Sequence, residues 1–199
     1  MAYQGHGGHI KKSDLFFGNG DMVDSVLTDP DDTRTVEERL DSIDGELDEM
    51  KKACSDCSQA SSLRGLLLMK DYEALGGEDS KLEKAVTHLD KAIRLNPFDA
   101  LTHAHVGRAM ETLERFEEAG DAYQHAYKLN PKSLEVIVGY GQFLSQGTDE
   151  EREHGQIIYD IASQLPRFRG GVGQNMLQSR LGPIFGRNDE EPTSKTENH

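Results

Sequence analysis

The sequence predicts an all-α fold of paired helices, and three observations lead to this prediction. Prolines at Pro97, Pro131 and Pro166 are spaced 34 and 35 residues apart, and a period near 34 is typical of helical hairpin repeats. Between Thr35 and Cys57, apolar or small residues recur with spacings of 4, 3, 4, 3, 4 and 3, the heptad pattern of a helical seam. A chain of 199 residues, 35% hydrophobic, is long enough for one modest core.

The charge balance excludes several classes of protein. The chain carries 22 basic and 36 acidic residues, with −8 in residues 1–60, −7 in residues 61–166 and +1 in residues 167–199. Because phosphate backbones require a basic surface, we expect no nucleic-acid binding by the main body. No apolar run has the length of a signal peptide or a membrane span, and two cysteines are too few for a disulfide framework. We therefore expect a cytoplasmic protein.

Residues 1–34 are rich in Gly, His and Asp and end at a turn signal, Asp-Pro-Asp-Asp, at residues 29–32. This composition favours a flexible tail. Leu15, Phe16 and Phe17 are three consecutive apolar residues that would be a liability if exposed. They support a second interpretation, in which they form a docking motif that becomes ordered on a partner.

Residues 35–60 are predicted to form an amphipathic helix with coiled-coil character. The seam residues are Val36, Leu40, Ile43, Leu47, Met50, Cys54 and Cys57. In a parallel pair of such helices, Arg39 would face Asp44. Glu46 would face Lys51, and both pairs have opposite signs, which favours a homodimer. Because the run covers only about three heptads and contains Gly45, the alternative is a helix that lies against the rest of its own chain.

Two segments between residues 61 and 166 align in register, residues 84–97 and residues 118–131. Each segment ends in Asn-Pro, which stops a helix. The other matched positions are Ala85 with Ala119, Leu89 with Tyr123, and Ala92 with Ala126. The period and the matched residues together indicate a repeated helix pair.

These residues resemble the tetratricopeptide repeat (TPR) family over residues 62–166, and the best match is the unit from Ala100 to Ser133. There Gly107 and Ala119 stand twelve residues apart, as the family's two small residues do, and Tyr123 holds the large apolar position. The resemblance implies about three repeats in residues 61–166, stacked as a right-handed superhelix of antiparallel helix pairs. It also implies a concave face, lined by the first helix of each pair, that binds extended or helical peptides.

The first and third units depart from this pattern. In the first, residues 76–79 predict a longer inter-helix loop than usual, and Met69 stands where a small residue is expected. In the third, residues 147–149 and an extra residue before Pro166 shift the second helix by one. The residues expected to give that helix its apolar face are Ile158, Ile161 and Ala162.

The resemblance implies a partner-binding groove on the concave face. Its expected lining is Leu63, Leu66, Leu67, Lys70, Leu101, Ala104, His105, Arg108, Glu135, Val138 and Gln142. The lysine, asparagine and arginine clamp by which some TPR proteins hold acidic chaperone C-termini is not recognisable, because apolar residues occupy most of its places. We therefore expect partner segments with aliphatic or aromatic anchors. A compatible interpretation is that the three leucines at residues 63–67 are buried against the helix of residues 35–57.

Cys54 and Cys57 form a CxxC motif with three open interpretations. A thioredoxin-type site needs a preceding strand, whereas a long acidic helix precedes this motif. Zinc requires four ligands, and only two chains side by side would supply four cysteines. The interpretations are seam residues in an apolar role, an inter-chain disulfide or metal site, and a redox function.

The remaining motifs do not point to catalysis. The histidines do not cluster by spacing, and His88 and His125 are expected on solvated helix faces. The sequence contains no Ser-His-Asp order, phosphate loop or HExxH spacing. We expect no catalytic residue, no cofactor and no metal site.

Residues 167–199 comprise an Arg- and Gly-rich segment and a polar tail that is predicted to be disordered. The residues that predict one short amphipathic helix in this segment are Val172, Met176, Leu177 and Leu181. This segment either caps the repeat stack or docks onto an acidic neighbour.

These features predict a non-enzymatic protein–protein interaction module, an adaptor or structural subunit of an assembly that binds partner segments through the groove and the tails. The alternative is a small three-repeat TPR chaperone for secretion or assembly substrates, which would hold an aggregation-prone partner only transiently. The sequence identifies neither the partner nor the oligomeric state.

Overall fold

The computed structural model describes residues 27, 29–54, 57–166 and 171–186 of the chain. Within them the regular secondary structure is helical and includes no strand. The helices are α1 (Val36–Ala53), α2 (Ser58–Leu75), α3 (Asp79–Leu95), α4 (Ala100–Thr112), α5 (Phe116–Leu129), α6 (Leu134–Ser145), α7 (Asp149–Gln164) and α8 (Gly171–Phe185). The chain divides between Pro131 and Lys132 into two compact units, with α1–α5 in unit 1 and α6–α8 in unit 2.

Polar side chains define where two of the unit 1 helices begin. At α1, the Thr35 hydroxyl accepts a hydrogen bond from the Glu38 N–H at 3.2 Å, and the Glu38 carboxylate accepts one from the Thr35 N–H at 2.8 Å. At α4, the Asp99 carboxylate accepts hydrogen bonds from the Leu101 N–H at 3.1 Å and from the Thr102 hydroxyl at 2.7 Å. These caps satisfy backbone donors that the first helical turn leaves without partners.

Unit 1 contains two helix pairs, α2–α3 and α4–α5, and in each pair a glycine faces a large apolar side chain. A Cβ atom at Gly107 would lie 2.9 Å from the Tyr123 ring, and one at Gly65 would lie 2.6 Å from Leu89 Cγ. The three-residue turns make both pairs antiparallel. The matched alanines are 1% exposed or less at Ala85, Ala92, Ala119 and Ala126. The predicted all-α, TPR-like fold is thus confirmed, and its helix pairs approach closely where the sequence places glycine.

The prediction of a long inter-helix loop in the first pair is wrong. Residues 76–78 form a three-residue turn, the same length as residues 113–115 between α4 and α5. The extra residues lengthen the helices instead, since α2 has 18 residues against 13 in α4, and α3 has 17 against 14 in α5. As a result, the close approach between α2 and α3 occurs at Gly65, whereas the sequence pattern places it at Met69.

Helix α1 packs against α2 within the same chain. The cluster between them contains Leu40, Ile43, Leu47 and Met50 from α1, and Ala60, Leu63, Leu66 and Leu67 from α2. Arg64 of α2 makes ion pairs with Asp44 at 3.0 Å and Asp48 at 2.8 Å on α1. Burying each large apolar side chain stabilises the unit by about 1.5–3 kcal/mol. The seam predicted from the heptad spacing therefore has a partner inside the chain.

Arg39 attaches the segment before α1 to this helix. Its guanidinium donates hydrogen bonds to the carbonyl oxygen of Leu27 at 2.9 Å, to that of Arg34 at 3.1 Å, and to that of Asp32. The Leu27 side chain packs against the α1–α2 cluster. Hydrogen bonds from the Arg34 side chain and backbone lower the pKa of Asp32 to about 2, which keeps its carboxylate charged. Residues 29–34 thus lead into α1 along a path held by polar contacts.

Unit 2 consists of the helix pair α6–α7 and the helix α8, which covers it. The α8 residues Leu177, Leu181 and Phe185 are 6% exposed or less. A Cβ atom at Gly141 of α6 would lie 3.0 Å from the Leu181 side chain, and one at Gly155 of α7 would lie 2.6 Å from the Phe185 ring. The segment after Pro166, expected either to cap or to dock, therefore supplies an apolar cap within unit 2.

Candidate partner-binding site

The exposed side of the α2–α4 surface in unit 1 is the candidate site. The two helices are joined by a hydrogen bond of 2.8 Å between the hydroxyls of Ser62 and Thr102. Because the Thr102 proton is donated to Asp99, Ser62 is the donor to Thr102. This link holds the first helices of the two pairs side by side.

Glu73 links the two helices through ion pairs. Its carboxylate pairs with Arg108 of α4 and lies 3.6 Å from the Lys70 ammonium of α2. The Arg108 side chain is 42% exposed, so solvent screens this pair and it contributes little to stability. A charged group that is exposed and oriented in this way is suited to recognising an acidic or polar group at the edge of a bound segment.

On α4, three of the predicted groove residues form a half-exposed line. Leu101, His105 and Arg108 are spaced i, i+4 and i+7, so they share one face of the helix. All three are partly accessible, whereas Ala104 beside them is 7% exposed. We call Leu101, His105 and Arg108 the α4 stripe.

The predicted groove residues of α2 lie in a different environment. Leu63, Leu66 and Leu67 are 6%, 2% and 4% exposed, because α1 covers them. Lys70, near the end of α2, remains half-buried beside Glu73. The structure thus matches the interpretation in which these three leucines are core residues under α1.

Unit 2 carries the other three predicted groove residues on α6. Glu135 is exposed, and its carboxylate accepts a hydrogen bond of 2.8 Å from the Ser133 hydroxyl. Val138 and Gln142 are half-buried on the same helix. On α7, Ile158 and Ala162 are buried, but Ile161 is 50% exposed and does not belong to the apolar face expected of it.

The α1 residues predicted as an oligomerisation seam are mostly buried within this chain. Leu40, Ile43, Leu47 and Met50 are 5% exposed or less, while Val36 at the start of α1 is 36% exposed. The two cysteines at the end of the seam, Cys54 and Cys57, are half-buried and not joined by a disulfide. The docking motif, Leu15, Phe16 and Phe17, lies outside the described residues.

A histidine pair on α4 and α5 was not apparent in the sequence. The rings of His103 and His125 have centroids 4.4 Å apart, and His103 Nε2 lies 3.0 Å from the Pro97 carbonyl oxygen. Burial lowers the pKa of His103, the Pro97 carbonyl opposes this, and repulsion from His125 lowers it further. Sequence spacing missed the pair because the two residues meet only when the helices fold together.

Exposed aromatic residues of unit 1 also went unnoticed. Phe98, in the turn before α4, is 78% exposed, and Phe116, at the start of α5, is 57% exposed. The sequence did contain a signal for the exposure of Phe98. This residue directly follows Asn96-Pro97, a turn position that has no helical face to bury the ring. Large exposed apolar groups of this kind are typical of contact surfaces.

The described residues include neither a candidate metal-binding cluster nor a candidate membrane-spanning helix. Among these residues, no cluster of three or more His, Cys, Asp or Glu is placed to hold a metal ion. None of the described helices combines the length and the apolar character that crossing a membrane requires.

Comparison with known proteins identifies no family for the chain. No protein-family model matches the sequence, and no curated protein matches it. The solved structure of MamA AMB-1 aligns with 83% of this chain and 92% of its own, with a TM-score of 0.47 and 20% sequence identity. At this level of similarity, the function of the chain has to be inferred from its own residues.

Proposed function

We propose that this chain is a non-enzymatic protein-interaction module, an adaptor or structural subunit that binds a partner segment along the α4 stripe. The observation that carries the proposal is the half-exposed line of Leu101, His105 and Arg108 on a helix whose equivalent, α2, is covered. In a TPR-like fold, the first helix of each pair is the one expected to contact a peptide.

The chemistry of the stripe suggests the character of the partner segment. Leu101 offers an apolar contact, and Arg108, already paired with Glu73, offers guanidinium N–H donors at 42% side-chain exposure. A segment with one aliphatic or aromatic anchor and one acceptor group about two helical turns away matches this order. The acidic surface, with a net charge of −14 for the chain, disfavours strongly acidic segments.

The test is co-purification with a substituted stripe. The tagged full-length chain is recovered from its native source, the co-purifying proteins are identified, and the recovery is repeated with Leu101→Glu. We expect recovery of the stoichiometric partner to fall at least ten-fold, because the carboxylate introduced at position 101 would be buried by the partner without a counter-charge. Leu95→Glu is the matched control, since Leu95 lies on α3, outside the stripe, and is 40% exposed.

Two outcomes bear on the details of this proposal. Unchanged partner recovery with Leu101→Glu, in a variant whose thermal unfolding matches that of Leu95→Glu, would contradict binding at the stripe. A partner that stays soluble only in the presence of this chain, and leaves it on maturation, would instead indicate the transient chaperone.

Self-association through residues 35–57 is a separate part of the proposal, and it requires a rearrangement within the single chain. A dimer through the seam requires α1 to leave α2, because Leu40, Ile43, Leu47 and Met50 pack against α2 in the single chain. Native mass measurement over a hundred-fold concentration range tests this. A strict monomer at the highest concentration would remove the homodimer.

A further inference from the structure

A small cleft lies where α1, α2 and α3 meet, away from the α4 stripe. Its volume is about 50 Å³, and residues from all three helices line it. The chemically active side chains among them are Lys51, Cys54, Cys57, Arg64, His88 and Lys91. The fold thus brings both thiols of the CxxC motif to one cleft together with three cationic side chains.

The two thiols flank the connection between α1 and α2. Cys54 directly follows the last residue of α1, and Cys57 is the N-cap residue of α2. Both are partly accessible to solvent and neither takes part in a disulfide. Two thiols that are three positions apart in the sequence and line one cleft are suited to dithiol exchange.

The charge around these thiols differs from that of the surrounding sequence. Lys51 comes from α1, Arg64 from α2 and Lys91 from α3, although α1 as a whole is acidic. Arg64 makes ion pairs with both Asp44 and Asp48, which offset its single charge, so the cationic character of the rim rests on Lys51 and Lys91.

His88 supports this description of the cleft. Burial lowers the pKa of His88, and the charges of Arg64, Lys51 and Lys91 lower it further, against a smaller opposing effect of Asp44. The three cations therefore act together at His88, which lines the same cleft as the two thiols.

We propose that Cys54 and Cys57 form a thiol–disulfide exchange site that accepts an anionic low-molecular-weight disulfide. The cationic rim attracts the negative charges of that molecule, and the thiols supply the reducing equivalents. This proposal is independent of partner binding at the α4 stripe.

The exchange proceeds in two thiol–disulfide exchange steps. The thiolate of one cysteine attacks a sulfur of the incoming disulfide, the S–S bond breaks, and one small thiolate leaves and takes a proton from solvent. The thiolate of the second cysteine then attacks the protein-side sulfur of the mixed disulfide and releases the second small thiol. In total two protein thiols are oxidised to one disulfide, and one small disulfide is reduced to two thiols.

The experiment compares two small disulfides of opposite charge. The reduced full-length chain is mixed with oxidised glutathione, which is negative, or with cystamine, which is positive, at equal concentration and pH. Loss of thiols is followed over time, and mass spectrometry identifies the product. We expect faster exchange with oxidised glutathione, a product that has lost two hydrogens within one chain, and a preference that disappears at high salt.

Charge variants test the role of the cleft. The double change Lys51→Gln and Lys91→Gln is expected to slow exchange with oxidised glutathione by about three- to ten-fold at low ionic strength, with little effect on cystamine. Lys52→Gln is the control, because Lys52 neighbours Lys51 on α1 but pairs with Glu49 at 2.6 Å and does not line the cleft. Its rate should equal that of the unchanged chain.

Cysteine variants test the two-step route. Cys54→Ser and Cys57→Ser should each stop at a mixed disulfide that carries one glutathione. The proposal is overturned by equal rates with both disulfides, by a double lysine variant with an unchanged rate, or by a disulfide that forms between two chains instead of within one. Far-ultraviolet circular dichroism of each variant ensures that an altered rate does not come from unfolding.

Discussion

Helices α2 and α4 have the same position in their pairs but opposite environments. Each packs a glycine against its partner helix, Gly65 on Leu89 and Gly107 on Tyr123. The other face of α2 is covered by α1, which leaves Leu66 only 2% exposed, whereas Leu101 on α4 is partly accessible. The same kind of apolar residue is therefore core in one pair and candidate contact surface in the other, and the difference is the presence of α1.

The largest expected effect comes from truncating a leucine on each helix. Leu66→Ala should lower the free energy of unfolding by about 2–5 kcal/mol, because it leaves a cavity under α1. Leu101→Ala should lower it by less than about 1 kcal/mol, because solvent already reaches that side chain. Urea unfolding followed by circular dichroism measures both. Equal losses would contradict the contrast between a covered and an open helix.

The second effect tests the close approach that the two pairs share. Gly107→Ala should destabilise the chain by about 1–3 kcal/mol, since the new methyl group would meet the Tyr123 ring at 2.9 Å. The ring does not move away easily, because the Tyr123 hydroxyl donates a hydrogen bond of 3.0 Å to Glu111. Gly65→Ala should act in the same direction, against Leu89.

Gly45→Ala is the control for these glycine changes. A Cβ atom at Gly45 would meet nothing within 4 Å, and the residue lies on the exposed face of α1. This variant should be more stable by about 0.5–1 kcal/mol, as helix propensity predicts. Equal shifts of the unfolding midpoint in all three alanine variants would contradict close helix packing at Gly65 and Gly107.

A third, smaller effect concerns the turns of the two pairs. Gly76 ends α2 with a φ of 75°, a conformation open to glycine, whereas Glu114 in the α4–α5 turn has a φ of 58° without being glycine. Gly76→Ala should destabilise the chain by about 1–2 kcal/mol, and Glu114→Gly should stabilise it by up to about 1 kcal/mol. Opposite shifts in thermal unfolding are the expected result, and two shifts of the same sign would contradict it.

The smallest expected effect is a pH dependence at the His103–His125 pair on α4 and α5. Burial lowers the pKa of His103 below its ordinary value of 6.5, so the folded chain binds this proton less tightly than the unfolded chain. Stability is therefore fully present above pH 6.5 and decreases as the pH falls through 6.5 toward the lowered pKa. His103→Gln should flatten the dependence of unfolding free energy on pH between about 7 and 5. An unchanged slope would contradict this assignment.

Much of the fold could be predicted from sequence because helix formation is local. The helix that begins near residue 35, the Asn-Pro stops and the pattern of Gly107, Ala119 and Tyr123 follow from residues within a few turns of one another. The length of the first pair could not be predicted in this way, because residues 76–79 resemble a long loop in isolation. Only the packing of α2 on α3 shows that both helices continue and that their close contact lies at Gly65 instead of at Met69.

The candidate site was predicted in part, for a related reason. The residues of the α4 stripe were named from the TPR-like pattern, but so were Leu63, Leu66 and Leu67, which α1 covers. A pattern of apolar residues identifies which face of a helix is apolar, and it does not identify what covers that face. Phe98 and the His103–His125 pair were missed because exposure and contact between helices depend on the assembled unit.

The sequence by itself determined the helical class of this protein, the small residue at Gly107 that allows α4 and α5 to touch, and the apolar stripe of α1. These depend on local propensity and on a period of 3.6 residues. Only the tertiary structure decided that α1 packs on its own chain, and that Lys91 of α3 and Arg64 of α2 line the same cleft as Cys54 and Cys57. The physical reason is that burial and electrostatic environment are set by residues distant in sequence, which one stretch of sequence does not contain.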